Sequence, residues 1–262
     1  MLENLLNYSP IVLALIGGTI AFLFSVLGAA IVLLFKKINN NFMDLMIALS
    51  AGVMLSAAFF SLLTPAIEMS STLYTHPIIS VTFGFIVGGL IIFISNKLLN
   101  KLFCDEKIKI SKICALITSI TLHNIPEGLV IGVAFGSLFY NNTVSCLVAA
   151  ISLSLGITLQ NFPEGAALSL PLRKSGLSCT KSFLISLFSA LVEPISALIG
   201  ALIVIKVQMV LPLILSFAAG AMIYVTSMEL IPECQNNKNN DIITLLIILG
   251  FSVMMIMELF FQ

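Results

Sequence analysis

Charge is what this sequence has least of. Twelve Lys and Arg and twelve Asp and Glu among 262 residues leave 9% of positions charged and a net charge of zero, where an ordinary soluble domain is roughly a quarter charged. With no basic field to hold a phosphate backbone and no acidic tail to mimic one, nucleic-acid binding is excluded. Five cysteines (Cys104, Cys114, Cys146, Cys179 and Cys234) stand without a CxxC or any other short spacing, so neither a disulfide framework nor a zinc finger is encoded. Long polar segments are missing as well. The longest connection between apolar runs, about Asn96 to Lys112, leaves no room for a soluble catalytic domain. What is present is apolar: 59% of the residues are hydrophobic, more than a fold surrounded by water covers. The chain reads as one transmembrane domain over 1–262 embedded in a lipid bilayer.

A helix crossing a hydrocarbon core of about 30 Å needs roughly 20 mostly apolar residues. Cutting the chain at its polar clusters gives eight such stretches, near 10–35, 44–67, 77–96, 113–140, 143–170, 182–205, 209–231 and 242–261. If both termini lie outside, Lys36, Lys37, Lys97, Lys101, Lys107, Lys109, Lys112, Arg173, Lys174, Lys181 and Lys238 all fall on the cytoplasmic side, and only Lys206 falls outside. That asymmetry is what the positive-inside rule requires, and an odd number of spans would destroy it. The expected fold is therefore an all-α polytopic membrane protein of eight transmembrane helices.

An ionisable side chain at bilayer depth is costly and marks a functional position by default. The fourth span contains His123-Asn124-Ile125-Pro126-Glu127-Gly128 and the fifth contains Gln160-Asn161-Phe162-Pro163-Glu164-Gly165, with Asn, Pro, Glu and Gly in register. At about 100° per residue, His123 lies about 40° to one side of Glu127 and Asn124 about 60° to the other. One helical face thus presents imidazole, amide and carboxylate together. Gln160, Asn161 and Glu164 repeat the arrangement on the next helix. Each proline frees the carbonyl four residues earlier, at Leu122 and Leu159, and kinks there would widen a polar cavity between the two helices. Glu193, in Leu-Val-Glu-Pro of the sixth span, adds a third carboxylate. Nitrogen and oxygen donors without thiolate suit Zn²⁺, Fe²⁺, Mn²⁺ or Cd²⁺ better than Cu⁺. A lone Asn or Glu often serves only as hydrogen-bond glue between helices, but packing does not require a carboxylate twice at the same offset from Asn and Pro. His76, in the polar Ser70 to Pro77 segment, reads as a solvated loop residue.

A second internal echo is fainter. The second span holds Ala51-Gly52-Val53-Met54 and the seventh Ala219-Gly220-Ala221-Met222; aligning the two places Ser61 opposite Glu229. Because these spans run in opposite directions in the expected topology, spans one to three and six to eight form an inverted repeat about the central pair, the build of secondary transporters.

These residues resemble the ZIP (Zrt/Irt-like) metal transporters, within them the bacterial branch related to GufA, over nearly the whole chain. The resemblance rests on HNxPEG in the fourth span and its xNxPEG partner in the fifth. It implies eight helices in a 3+2+3 arrangement, a homodimer as in many members, and a two-metal site between helices four, five and six. By that likeness His123, Glu127, Gln160 and Glu164 hold one ion and Asn124, Glu127, Asn161, Glu164 and Glu193 the second, with Glu127 and Glu164 bridging. Met54, Ser61 and Glu68 match residues of the outer approach. Family members are thought to move helices one, four, five and six against the rest. Three departures stand out: many members carry His where this chain has Gln160, the helix-seven pair is Met228-Glu229 where relatives often have His-Glu, leaving Glu229 alone at the cytoplasmic exit, and the Asn96 to Lys112 loop lacks a His-rich tract.

The expected activity is inward movement of a divalent transition metal, zinc first, with cadmium, iron and manganese as further candidates, across a bacterial plasma membrane. The metal is cargo, and no resident cofactor is expected. An intramembrane metalloenzyme using the same ligands to activate water is the first alternative, although HExxH is absent. A gated ion channel is the second, but a channel has no use for a site that holds its ion tightly.

Overall fold

The computed structural model describes residues 2–34, 40–103, 108–206, 208–235 and 240–261, and Lys36, Lys37, Cys104, Lys107 and Lys238 lie outside them. At Lys101, Lys109, Lys112, Cys114, His123 and Lys206 only the backbone is described. After one helical turn at Leu2–Leu5, eight helices follow: α1 Pro10–Leu34, α2 Asn41–Leu73, α3 Pro77–Phe103, α4 Ile108–Gly136, α5 Val144–Lys174, α6 Cys179–Ile205, α7 Leu211–Cys234 and α8 Asn240–Phe261. All are long and apolar enough to cross a bilayer. The chain is an all-helical, multi-pass membrane protein.

Local chemistry sets the helix ends. Pro10 and Pro77 open α1 and α3, where a missing N–H costs nothing. Thr143 and Ser178 cap α5 and α6, their hydroxyls accepting from the Cys146 and Lys181 amides. α5 stops at Gly176, whose φ of +104° few residues other than glycine adopt, with the Leu177 amide closing back on the Leu172 carbonyl. His76 is exposed between α2 and α3, as its sequence context implies.

Four helices run further than the apolar runs suggested, α3 among them, on to Phe103. α2 continues past residue 67 to Leu73 in spite of Pro65, because the stretch Ala58–Leu63 just before the proline winds as a π-helix. There the Thr64 amide bonds the Phe59 carbonyl five residues back, a register that absorbs one extra residue. α7 repeats the device at Thr226–Leu230, immediately before Pro232, with the Ile231 amide on the Thr226 carbonyl. Each π-turn begins seven residues after the alanine of its Ala-Gly-x-Met run. α5 likewise continues past residue 170, α-helical through Pro171 to Lys174. α6 breaks at Leu191, dividing into Cys179–Ala190 and Val192–Lys206, since Pro194 has no N–H for the Ala190 carbonyl. By contrast α4 and α5 stay α-helical through Pro126 and Pro163.

Without water to drive apolar surfaces together, membrane helices associate where small residues let backbones touch. Four crossings do this reciprocally. A Cβ at Gly28 of α1 would lie 1.8 Å from the Phe162 carbonyl oxygen of α5, and one at Gly165 would lie 2.0 Å from that of Ser25. Gly132 and Gly200 key α4 to α6, Gly88 and Gly220 key α3 to α7, and Gly52 and Gly250 key α2 to α8 in the same way. The helices thus sort into two sets, α1, α4, α5, α6 and α2, α3, α7, α8, with the most extensive packing inside each. Among the described residues, every glycine whose Cβ would strike a neighbouring backbone strikes one in its own set. Gly156 of α5 faces the other set, but meets only the side chains of Met254, Glu258 and Ser61.

A side chain at Gly132 has no space, since its Cβ would stand 1.9 Å from the Ala197 carbonyl oxygen, whereas nothing comes nearer than 3.6 Å at Gly89. Gly132→Val is expected to destabilise the detergent-purified protein by about 3 kcal/mol, and Gly89→Ala to leave its thermal melting point within the scatter of the wild type.

Candidate functional site

The residues singled out in α4, α5 and α6 converge. Asn124, Glu127, Gln160, Asn161, Glu164 and Glu193 are each no more than 4% exposed. They meet because each hexapeptide ends in a glycine that admits the backbone of a third helix: a Cβ at Gly128 would lie 2.3 Å from the Glu193 carbonyl oxygen, which fixes α6 against α4 at the level of the carboxylates. Around that point the side chains knit the helices together. Gln160 of α5 donates through its amide nitrogen to Oε1 of Glu127 on α4. Asn161 donates through Nδ2 to Oε2 of Glu193 on α6 at 2.7 Å, and Ser25 of α1 donates to Oε1 of the same carboxylate at 2.8 Å. Asn124 donates to the Ser189 carbonyl of α6 at 3.2 Å, just above the helix break. The Thr121 and Ser189 hydroxyls pair at 2.7 Å.

The electrostatics of this cluster are one-sided. Glu193 lies in the fields of both Glu127 and Glu164, so three buried carboxylates share one region from which lipid excludes water. With both amide nitrogens committed to carboxylates, Oε1 of Gln160 and Oδ1 of Asn161 accept no hydrogen bond from the described residues. A buried acceptor without a donor costs about 1–3 kcal/mol. Two such oxygens beside three carboxylates make an environment whose needs only positive charge meets. A cavity of about 10 Å³, bordered by Ser25, Asn124, Glu164, Ser186 and Ser189, adjoins the cluster. Its apolar wall includes Ile120 and Leu168, which with Leu172 form a separate small hydrophobic cluster. Among the described residues no three His, Cys, Asp or Glu side chains stand close enough to hold a metal by themselves. His123 lies one turn before Glu127 on α4, and its side chain lies outside the described residues.

The remaining candidates stand apart. Met54 is buried in the core of α2, its sulfur 3.8 Å from the Ser50 hydroxyl. Ser61, within the α2 π-turn, donates to Glu258 of α8. Glu68 is exposed near the end of α2. Glu229, in the α7 π-turn, accepts from Asn96 of α3 at 3.0 Å, so it has a partner that the sequence did not suggest.

Glu258 and Ser25 are among the buried polar residues that the sequence pattern does not single out. Glu258 is 6% exposed and borders a cavity of about 390 Å³ between the two helix sets, together with Ser61, Ser137, Cys146 and Ser152. Its signal was available: it is a lone carboxylate inside the apolar run of α8. Ser25 gave no such signal, since an isolated serine is unremarked in a membrane helix.

Comparison with known proteins bears on the same residues. The model of the ZIP zinc transporter family matches residues 105–258, a stretch that contains both hexapeptides and Glu193. The chain belongs to the ZIP family. Zinc transporter ZIP11 of Xenopus tropicalis is 30% identical over 96% of this chain and 98% of its own length. Zinc transporter ZIPB of Bordetella bronchiseptica is 30% identical over 94% of this chain and 80% of its own. Zinc transporter GufA of Myxococcus xanthus is 31% identical over 89% and 92%. ZIP proteins are transporters and not enzymes, and the metalloenzyme alternative falls away. The family membership supports transport of divalent metal, and the eight helices match a protein whose work is done inside the bilayer.

The hydrogen bonds around Glu193 make a stability prediction for this ZIP protein. In Glu193→Gln the new amide can still pair, because Asn161 has an acceptor oxygen to turn toward it and the Ser25 hydroxyl can accept as readily as donate. In Glu193→Leu both donors lose their acceptor. The leucine protein is expected to melt lower by the equivalent of about 2 kcal/mol, and the glutamine protein to melt near the wild type, both read by thermal unfolding in detergent.

Proposed function

We propose that the cluster between α4, α5 and α6 is a binuclear transport site, and that the protein carries divalent transition metal, zinc above others, into the cytoplasm. The observation that carries this reading is the set of three buried carboxylates with two unmated amide oxygens. Glu127, Glu164, Gln160 and His123 hold one ion. Asn124, Asn161 and Glu193 hold the second, with Glu127 and Glu164 shared. Bridging carboxylates suit this role because a pair of dications a few ångströms apart repel strongly, and only shared negative charge between them offsets that repulsion. The relatives named as zinc transporters favour zinc. Cadmium, iron and manganese fit the same nitrogen and oxygen donors.

The surrounding architecture supports a carrier. The ZIP fold reads as a 3+2+3 inverted repeat with both termini outside the plasma membrane of a bacterium. That repeat is supported by the π-turns at equal offsets in α2 and α7 and by the mirrored pairing of α2 with α8 and α7 with α3. Met54, Ser61 and Glu68 line the outer approach, joined there by Glu258, and Glu229 stands at the inner exit. The set α1, α4, α5, α6 moves as one body past α2, α3, α7, α8, along the boundary where, among the described residues, no glycine locks backbone to backbone. A gated channel fits less well, since ligands this numerous would hold a permeating ion too long. The protein works as a homodimer in the lipid bilayer.

Purified protein in liposomes loaded with a metal-sensing dye tests the function directly. Glu127→Ala and Glu164→Ala are each expected to lower zinc uptake at least about 100-fold while the protein still inserts, because removing a buried charge favours lipid. Uptake near the wild type in either folded variant would sink the two-metal assignment.

Gln160 sets a sharper test. A neutral amide oxygen is a hard, weak donor, and an imidazole nitrogen binds borderline metals more strongly. Gln160→His is expected to lower the half-saturating concentration for Zn²⁺ and Cd²⁺ relative to Mn²⁺ and Fe²⁺, with an unchanged or lower maximal rate because a tightly held ion leaves slowly. Uptake of the four ions measured side by side decides it; unchanged relative preference would mean that Gln160 only packs.

A further inference from the structure

Each hexapeptide glycine receives the backbone of one outer helix. Gly128 of α4 faces the carbonyl of Glu193 on α6, its Cβ position 2.3 Å away, and Gly165 of α5 faces the carbonyl of Ser25 on α1, 2.0 Å away. The two glycines occupy the same place in their motifs. Ser25 therefore stands to α5 as Glu193 stands to α4, on the outer helix of the opposite half. The two residues also meet: the Ser25 hydroxyl donates to Oε1 of Glu193 at 2.8 Å, in preference to the Ala21 carbonyl of its own helix at 3.5 Å. Ser25 is 6% exposed and borders the same small cavity as Asn124 and Glu164.

We propose that Ser25 is a positioning residue of the transport site, the contribution of α1 to a centre otherwise built from α4, α5 and α6. A carboxylate on a side chain with three rotatable bonds is poorly placed for metal unless something fixes it. Ser25 grips one oxygen from a backbone that Gly165 locks in place, while Asn161 holds the other at 2.7 Å. The two grips differ in consequence. Asn161 has an unmated oxygen of its own, so when a cation reaches Oε2 its amide can release the carboxylate and turn that oxygen to the metal. Ser25 has no such second role, and its hydrogen bond persists through loading. Outer partners of metal ligands commonly tune affinity in this way, with losses of about 10-fold to 100-fold on removal.

The inference rests on Glu193 being a ligand, and the test separates the two. Zinc uptake by proteoliposomes and zinc binding to the purified protein are measured for Ser25→Ala, Ser25→Thr, Glu193→Gln and the double variant Ser25→Ala/Glu193→Gln. Ser25→Ala is expected to raise the half-saturating zinc concentration about 10-fold with the maximal rate within about twofold, a split that a general packing defect would not produce. Ser25→Thr, which keeps the hydroxyl, should restore most of the loss. The double variant should be no worse than Glu193→Gln alone, as residues acting through one another require. If Glu193→Gln is impaired but Ser25→Ala binds zinc like the wild type, or the two losses multiply in the double variant, Ser25 is a packing residue and the proposal is overturned. If Glu193→Gln itself binds and transports zinc normally, the ligand reading and the proposal fall together. Should the threonine methyl at the α1 and α5 crossing prevent folding, seen as a lowered melting point, the alanine cycle alone decides.

Discussion

A carboxylate surrounded by hydrocarbon has no water to turn to, and the arrangement of this molecule follows from that constraint. Glu127 and Glu193 are supplied with donors by the protein, and the donors come from other helices: Gln160 for Glu127, and Asn161 and Ser25 for Glu193. Four helices are drawn to one point by these demands. The glycines at the ends of the two hexapeptides serve the same demand from the backbone side. Without them α1 and α6 would stand too far away for their side chains to reach. Hydrogen bonding and close packing are thus one solution here, for a donor on a neighbouring helix is useful only when the backbones nearly touch.

The division of the helices into two sets has a matching logic. Inside each set, glycines fit against carbonyls with no tolerance for sliding. At the boundary, Gly156 meets flexible side chains, those of Met254 and of the Ser61 and Glu258 pair. Interlocked backbone resists displacement because any shift drives atoms into overlap, whereas side chains can change rotamer as surfaces pass. The polar cluster belongs wholly to one set, so the hydrogen bonds that tie its residues together do not cross the boundary.

Much of this was legible in the amino-acid order. The eight apolar runs and the doubled hexapeptide marked the spans and nearly all of the buried cluster, because both signals are local and strong. Helix ends were less legible: the apolar run ends near residue 67, and nothing in the residues before Pro65 announces the π-turn that precedes the continuation of α2 to Leu73. α4 and α5 stay α-helical through Pro126 and Pro163, while α6 breaks ahead of Pro194. Ser25 was invisible, since its importance comes from which helix crosses α5 at Gly165, a fact of tertiary packing. Glu258 was in plain view and was passed over inside a long apolar run. Glu229 looked isolated because Asn96 lies far from it in sequence and beside it only in space.

The π-turns in α2 and α7 alter how these helices present themselves along their length. One additional residue in a turn swings everything beyond it by about 100° relative to a straight helix. A stripe of residues traced at ordinary helical spacing from Met54 would therefore miss its continuation past Leu63, and the same holds on α7 between Met222 and Ile231. Each helix has two faces joined by a twist, one directed by the residues before its turn and one by those after. Winding either turn as ordinary α-helix would leave the composition and length of the span untouched and yet rotate half of the helix away from its neighbours, whereas deleting one residue there would let a plain α-helix keep both faces in place.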